Sequence, residues 1–526
     1  MATRRRFLHR SLKLAALAAL ARAFPGQAAE RYSGGYPFAL GVASGSPRPD
    51  SVVLWTRLIA APLAEPVYGD TVYKVRWEVA DEHTFASIVA RGEAFALPEL
   101  AHSVHVDVTG LRPDRWYWYR FLLGDAVSPP ARTRTAPAAD AAVALLRVAV
   151  ASCQHWEYGA YAAHRHIAAA APDLVAFLGD YIYEWGPYDL RHPNSPRRRD
   201  IESSSLAGYR ARYAQYKSDL QLQAAHHSAP WIVTWDDHEV SNDYGNDRDE
   251  RLDPNFMPRR AAAYQAFYEH MPVRLQQATV TPAQFAHMRL YDRYDWGRLA
   301  RLHVLDDRQY RSYQACAKPG RGGSNFVSYG ECNELRDPTR TLLGYEQEQW
   351  LARGLAKSPG KWNILAQQTL MAQCNLSPLG ANAEARFWTD GWDGYPAGRT
   401  RLLDDLQRYQ VNNPVVLSGD VHTFYAAHLK RDFNARASAS NPRIATEFCG
   451  TSITSNSRPQ EITDQIVLAN PHLKYGRSDK RGYMLLEITE KKMLSHFLAL
   501  DDVANPESGI ATLKSFTVED GRPGLA

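Results

Sequence analysis

Four apolar runs in this chain each end in residues that bind metal ions or carry protons. Residues 146–151 run into Ser152-Cys153, and residues 174–178 into Gly179-Asp180-Tyr181-Ile182-Tyr183. Residues 231–233 run into Thr234-Trp235-Asp236-Asp237-His238-Glu239-Val240-Ser241-Asn242, and residues 415–417 into Ser418-Gly419-Asp420-Val421-His422. Short apolar runs bounded by turn residues read as buried strands. In open α/β sheets, ligands bind outside the carboxyl ends of the strands. Four such ends in one chain predict a single constellation, a multinuclear metal site at the edge of an α/β sheet.

The residue types narrow the chemistry. Asp180 and Tyr183 are three apart just past a strand, so a carboxylate and a phenolate can approach one ion. A phenolate ligand calls for a strong Lewis acid, most simply Fe³⁺, and a thiolate from Cys153 suits iron as well. The alternative for Tyr183 alone is an ordinary aromatic turn residue. Asp236, Asp237 and Asn242 offer oxygen, which suits Ca²⁺ or Mg²⁺. His238 has two readings, metal ligand or general acid beside a leaving group. Asp420 and His422 are two apart, so on extended backbone they share a face and converge on one centre.

Together Gly179-Asp180-x-x-Tyr183 and Ser418-Gly419-Asp420-x-His422 resemble the calcineurin-like and purple-acid-phosphatase metallophosphatase pattern. Two positions depart from it: Asp237 stands where Asn is expected, and Asp420 where the first His is expected. Carboxylate in place of nitrogen suits Ca²⁺ better than a transition metal. A narrower resemblance covers nearly the whole chain. Ala-Ser-Cys-Gln at 151–154, Trp-Asp-Asp-His-Glu-Val at 235–240, Leu-Asp-Asp-Arg-Gln-Tyr-Arg at 305–311 and Trp-Asp-Gly-Tyr at 392–395 are similar to motifs of the PhoD-type alkaline phosphatases. So are Ser-Gly-Asp-Val-His at 418–422, Thr-Glu-Phe at 446–448 and Gly-Val-Ala-Ser-Gly-Ser-Pro at 41–47. The resemblance implies that Cys153, Asp180, Tyr183 and His422 hold Fe³⁺, with Asp180 bridging. It implies that Asp237, Asn242 and Asp420 hold Ca²⁺ with Asp236 nearby, and that His238 occupies the catalytic-histidine position. The implied activity is metal-assisted hydrolysis of phosphate esters.

Composition matters most at the start of the chain. Arg4-Arg5-Arg6-Phe7-Leu8 fits a twin-arginine export signal. The apolar stretch 12–23 is too short and alanine-rich for a comfortable membrane span, and Gly26-Gln27-Ala28-Ala29 offers a small-residue cleavage site. The alternative is a basic amphipathic helix. The formal net charge of the full chain is +4. Removing residues 1–28 takes six cations and no acid and leaves −2, so the basicity argues for no nucleic-acid partner. The expected partners are the phosphate ester and the twin-arginine export machinery, with only transient membrane contact and a periplasmic or secreted destination.

With 526 residues the chain is too long for one core. Residues 36–137 read as short strands separated by turns, a fibronectin III-like β-sandwich with no ligand cluster, and 133–140 as the linker. For residues 146–526 the resemblance implies a four-layer α/β/β/α metallophosphatase domain. Helices are expected at 161–170, 206–227 and 341–355, with Tyr209, Tyr213, Tyr216 and Leu220 forming a core stripe. A strand is expected at 362–366 and closing strands at 484–488 and 494–500, followed by a polar tail after Ala504. Cys316 and Cys332 flank a Gly- and Ser-rich loop and make a plausible disulfide, with Cys374 and Cys449 as a weaker second pair; buried free thiols are the alternative for all four. Trp392 and Tyr395 either stack on an organic leaving group or anchor their loop. The basic stretch 191–199 is read as a solvated loop, or less readily as a rim that attracts anions. His472 and Arg481 have no role derivable from sequence. Two competing functions remain, a phospholipase D-type phosphodiesterase and a non-catalytic periplasmic binding protein on the same scaffold.

Overall fold

The computed structural model describes residues 35–61, 69–186, 202–275, 282–377 and 384–526. The expected signal segment 1–28 and the basic stretch 191–199 lie outside the described residues. Among the described residues no helix is long and apolar enough to cross a membrane.

Two large sheets organise the chain. One has nine strands in the order Ile510–Glu519, Lys492–Leu500, Gly482–Ile488, Leu146–Ala151, Leu174–Leu178, Trp231–Thr234, Val42–Gly45, Ser51–Arg57 and Ser103–Thr109. Leu146–Ala151, Leu174–Leu178 and Trp231–Thr234 pair in parallel. The other has seven strands in the order Asp292–Trp296, Ala300–Val304, Trp362–Ala366, Pro414–Ser418, Ala445–Cys449, Phe424–Leu429 and Leu473–Arg477. Here Ala300–Val304 through Ala445–Cys449 are parallel neighbours.

Side chains alternate across each strand, and the alternation divides the cores. Val148, Val150, Leu174, Ala176 and Ile232 join Leu302, Ile364, Val415 and Leu417 in one buried cluster, where the two sheets face each other. Ala149, Ala151, Val175, Phe177 and Val233 point the other way. They pack against the helices Ala162–Ala170, Leu206–Lys217, Leu220–Ser228 and Phe256–His270. On the seven-stranded sheet Leu365, Val416 and Ala427 pack against Tyr345–Leu355, Pro396–Arg408 and Gln460–Ala469. Strands buried on both faces read as continuous apolar runs, which is why the sequence announced them.

The N-terminal region forms two layers around a shared core that includes Val52, Leu54, Val75, Val79, Tyr119 and Phe121. One layer is a separate five-stranded sheet built from Tyr73–Ala80, Ile88–Ala96, Trp116–Leu123, Ala126–Val127 and Ala131–Arg134. The other is the end of the nine-stranded sheet, since Gly45 pairs in parallel with Trp231. The residues expected to link two domains begin inside a strand, Ala131–Arg134.

Local corrections follow from turn chemistry and sheet edges. The helix expected over 206–227 is two helices, Leu206–Lys217 and Leu220–Ser228. The Asp219 side chain accepts from the backbone N–H groups of Gln221 and Leu222 and starts a new helix. Tyr209, Tyr213 and Tyr216 are buried as expected, but beyond that break Leu220 is 77% exposed. The helix expected from residue 341 begins at Tyr345. The polar tail contains the strand Ile510–Glu519, an edge strand mostly open to solvent, so it carries no apolar run to read. Cys316 and Cys332 form a disulfide. Cys374 and Cys449 do not; both are buried free thiols, seated in the apolar core outside the seven-stranded sheet.

Candidate metal centre

All four predicted strand ends meet. Cys153, Asp180 and His422 offer ligand atoms within 4.8 Å of one another; so do Asp180, Asp237 and His238, and so do Asp236, Asp237 and Asp420. Asp180 and Asp237 each belong to two of these groups, the arrangement a bridging carboxylate requires. Tyr183 donates its hydroxyl to Asp180 Oδ2 at 2.9 Å and lies 3.2 Å from His422 Nε2. Asn242 lines the same cavity; its backbone N–H donates to Glu184 and its side-chain amide to Glu250.

The backbone leaves three of the four strands through the left-handed region. Cys153, Asp180, Asp420 and His422 have φ between 53° and 63°, a conformation uncommon for residues with a Cβ and concentrated at functional sites. Gly179 and Gly419 permit the close approach of neighbouring strand ends. A Cβ at Gly179 would lie 2.5 Å from Asp236 Cβ, and one at Gly419 would lie 2.3 Å from Ser152 Oγ.

Four buried carboxylate oxygens, Asp180 Oδ1, Asp236 Oδ2, Asp237 Oδ1 and Asp420 Oδ2, accept no hydrogen bond among the described residues. Burial without partners is costly for such groups unless a cation occupies the space between them. The donor set therefore fits hard cations on the carboxylate side and a softer one beside the Cys153 thiol and the His422 imidazole. Burial and the neighbouring carboxylates push the Asp180 and Asp420 carboxyls well above the usual range. Burial raises Asp236 to about 6 against the opposing pull of Arg308. Burial also acts on Asp237, but Arg308 and His238 outweigh it and bring it to about 2. The Cys153 thiol and the Tyr183 phenol are pushed up, first by burial and then by Asp180.

The two histidines are oriented differently. His422 Nδ1 lies 2.6 Å from the Asn456 carbonyl, so Nδ1 carries the proton and Nε2 presents its lone pair to the cluster. Burial holds this ring neutral, with its pKa near 3. His238 Nδ1 lies 2.8 Å from Glu184 Oε2. Burial opposes its charge, but Asp237, Glu184 and Asp180 hold it protonated.

Several buried residues carry the cluster without having been singled out in the sequence. Glu239 accepts from the backbone N–H groups of Asp180, Tyr181 and Asp236 and ties two strand ends together. Ser455 donates to the Tyr183 hydroxyl at 2.7 Å. Arg308 pairs with Asp236 and Asp390 and stands 3.5 Å from Asp237. Arg311 and Gln314 hold the other oxygen of Asp390. A signal existed for Arg308: Leu305-Asp306-Asp307-Arg308 follows the strand Ala300–Val304, another apolar run ending in charge. Arg481, without a role derivable from sequence, donates to the carbonyls of His422 and Ser455. His472 lies 2.6 Å from the Gln373 carbonyl and is packed against Phe433. Trp392 and Tyr395 prove to be loop anchors: both are buried, donating to Gln367 Oε1 and the Ser312 carbonyl, although one face of Trp392 also lines the cavity.

The profile of the PhoD-like phosphatase family matches residues 148–497, and that of its N-terminal domain matches residues 23–137. Alkaline phosphatase D of Bacillus subtilis (strain 168) is 43% identical, over 99% of this chain and 88% of its own. The structure of PhoD superposes with a TM-score of 0.87 at 43% identity, covering 95% of this chain and 93% of that one. A purple acid phosphatase from yellow lupin (Lupinus luteus) seeds has a TM-score of 0.52 at 13% identity, covering 93% of this chain and 74% of its own, and shares the fold alone. With its metal-type strand ends and these matches over both segments, the chain belongs to the PhoD-like phosphatase family.

Proposed function

We propose that this protein is an exported, metal-dependent phosphate-ester hydrolase, an alkaline phosphatase or phosphodiesterase, working through a mixed Fe³⁺ and Ca²⁺ centre. The observation that carries the reading is the set of four buried carboxylate oxygens without hydrogen-bond partners beside a thiol, a phenol and a neutral imidazole. Cys153, Asp180, Tyr183 and His422 would hold iron. Asp237, Asn242 and Asp420 would hold calcium, with Asp236 alongside and Asp180 between the two. Bound there, the cations supply Lewis acidity toward the phosphoryl oxygens and toward water.

The remaining work falls to the chain. Glu239 and Arg308 fix the carboxylates, so that little reorganisation accompanies the reaction. Glu184 fixes the His238 ring through Nδ1 and leaves its Nε2–H to protonate the departing oxygen.

The same reading extends to architecture and destination. The order helices, sheet, sheet, helices in the buried clusters supports the four-layer arrangement for residues 146–526. Residues 36–137 form the fibronectin III-like sandwich, one layer of which continues the larger sheet. Residues 1–28 direct a folded chain through the twin-arginine machinery to the periplasm or beyond. The test is hydrolysis of a chromogenic phosphomonoester and its diester, side by side, with chelator and with added Ca²⁺. Activity that chelator removes and Ca²⁺ restores is the expected result; full turnover in thoroughly chelated protein contradicts it. The ratio of the two esters decides between phosphatase and phosphodiesterase.

A further inference from the structure

The cavity over the metal cluster has a second wall that the hydrolytic reading leaves unused. Its volume is about 460 Å³, within the range of organic-ligand pockets and far more than a phosphate group fills. Asp180, Asp237, His238, Asp420 and His422 line one side. The other side is apolar: Phe326, Leu370, Leu376, Trp388, Trp392 and Tyr425. Leu370, Trp392 and Tyr425 belong to a single buried cluster, with Leu376 packed against it, so this wall is continuous.

Phe326 and Trp388 come from a two-stranded antiparallel sheet outside both large sheets, Phe326–Ser328 paired with Arg386–Trp388. They are direct cross-strand partners, so both rings stand on one face. The Cys316–Cys332 disulfide closes the segment that carries Phe326. Phe326 is nevertheless 50% exposed. An aromatic ring at a cavity mouth, placed beside a second ring and left half in water, has apolar surface still to bury. Arg458 also lines the cavity. Among the described residues it has no ion pair, so its guanidinium is available to lie against the face of a ring.

We propose that this wall, with Phe326 and Trp388 as its specificity-determining residues, binds an aromatic organic substituent of the phosphate ester. The inference rests on the hydrolase reading and assigns the substrate class of the same site. Esters whose organic group carries an aromatic ring are preferred over esters whose organic group is small.

The test compares 2-phenylethyl phosphate with ethyl phosphate in the metal-loaded protein. Their leaving alkoxides are of similar basicity, so the ratio of kcat/KM reports binding of the ring rather than chemistry. Burial of a phenyl group predicts a preference of about tenfold or more. Phe326→Ala and Trp388→Ala should each lower that ratio, and the double variant should bring it near one. Because Phe326 stands outside the core, Phe326→Ala tests the wall without a folding liability. Binding of 2-phenylethylphosphonate against ethylphosphonate, measured by calorimetry, reads the wall even without turnover and should show the same preference. Equal affinity for the two phosphonates, or a preference that survives the double variant, overturns the proposal. Failure to hydrolyse either phosphate, with the phosphonate preference intact, would count against the hydrolase reading and in favour of the wall.

Discussion

The two sides of the cavity are built by opposite means. The polar side is made from the ends of strands whose hydrogen-bonded neighbours fix them; Cys153, Asp180, Asp236, Asp237 and His238 are buried, and Cys153, Asp180, Asp420 and His422 are strained into left-handed backbone. The apolar side is made partly from a three-residue strand pair hung outside the main sheets, stapled by a disulfide and half open to solvent. The first must hold charge at fixed distances, so rigidity there is part of the chemistry. The second needs only to present area, and a small appended sheet does that without disturbing the cluster. One side thus sets the reaction, and the other can vary with the ester.

The comparison breaks most sharply at Asp180. Asp180→Asn keeps the shape but removes the charge shared by two ligand groups, and kcat/KM should fall by at least about a thousandfold. Circular dichroism should show the fold intact, and a variant with full turnover would sink the assignment of the cluster.

Arg308→Met comes next. It strips the cation from Asp236, Asp237 and Asp390 and should cost about 3–5 kcal/mol, because buried carboxylates lose their partner. Denaturant unfolding measures it, and a loss below about 1 kcal/mol would show that the polar side does not depend on this residue.

Proton linkage separates the metal-free from the loaded protein. Burial foremost raises Asp236 to about 6, Asp243 to about 7 and Glu239 to about 8, above the usual range near 4. The folded state therefore holds these protons more tightly than the unfolded chain does. Their contribution to stability is full below about pH 4 and is lost as pH rises through 6 to 8. Asp237, held near 2, acts in the opposite sense and only in more acid solution. Chelated protein should lose more than about 3 kcal/mol between pH 5 and 8, and added cations should remove most of that slope. Thermal unfolding across the pH range, with and without chelator, checks it; identical slopes would contradict a cation-binding cluster.

The smallest effect belongs to the appended wall. Removing the disulfide with Cys316→Ser and Cys332→Ser should cost about 3 kcal/mol or less in the chain-entropy model, since the bridge spans 16 residues. Its effect should fall on the preference among esters more than on turnover. A variant that loses turnover altogether would mean that the appended sheet also supports the cluster.

The same contrast explains what the sequence could tell. Asp180, Asp237, Asp420 and His422 were legible because each follows a continuous apolar run buried on both faces. Arg308 obeys the same rule and was available to it. Glu239 was not, since its work is to accept N–H groups from a different strand end, a contact that exists only after the sheet has formed. The apolar wall was equally hidden: Phe326 meets Trp388 across sixty-two residues, on strands too short to show a period. Leu220 failed for a local reason, because Asp219 restarted the helix and left Leu220 pointing outward. Cys374 and Cys449 could be paired only by elimination, and elimination does not measure distance.

The most direct measurement is elemental analysis of the purified protein and its Asp420→Asn variant after exhaustive dialysis without chelator. The account predicts iron and calcium in the parent protein, and iron retained with calcium lost in the variant, because Asp420 faces Asp236 and Asp237 while the Cys153, Asp180 and His422 group stays whole. A parent protein that holds neither metal, or a variant that retains both, would contradict the division of the cluster into an iron side and a calcium side.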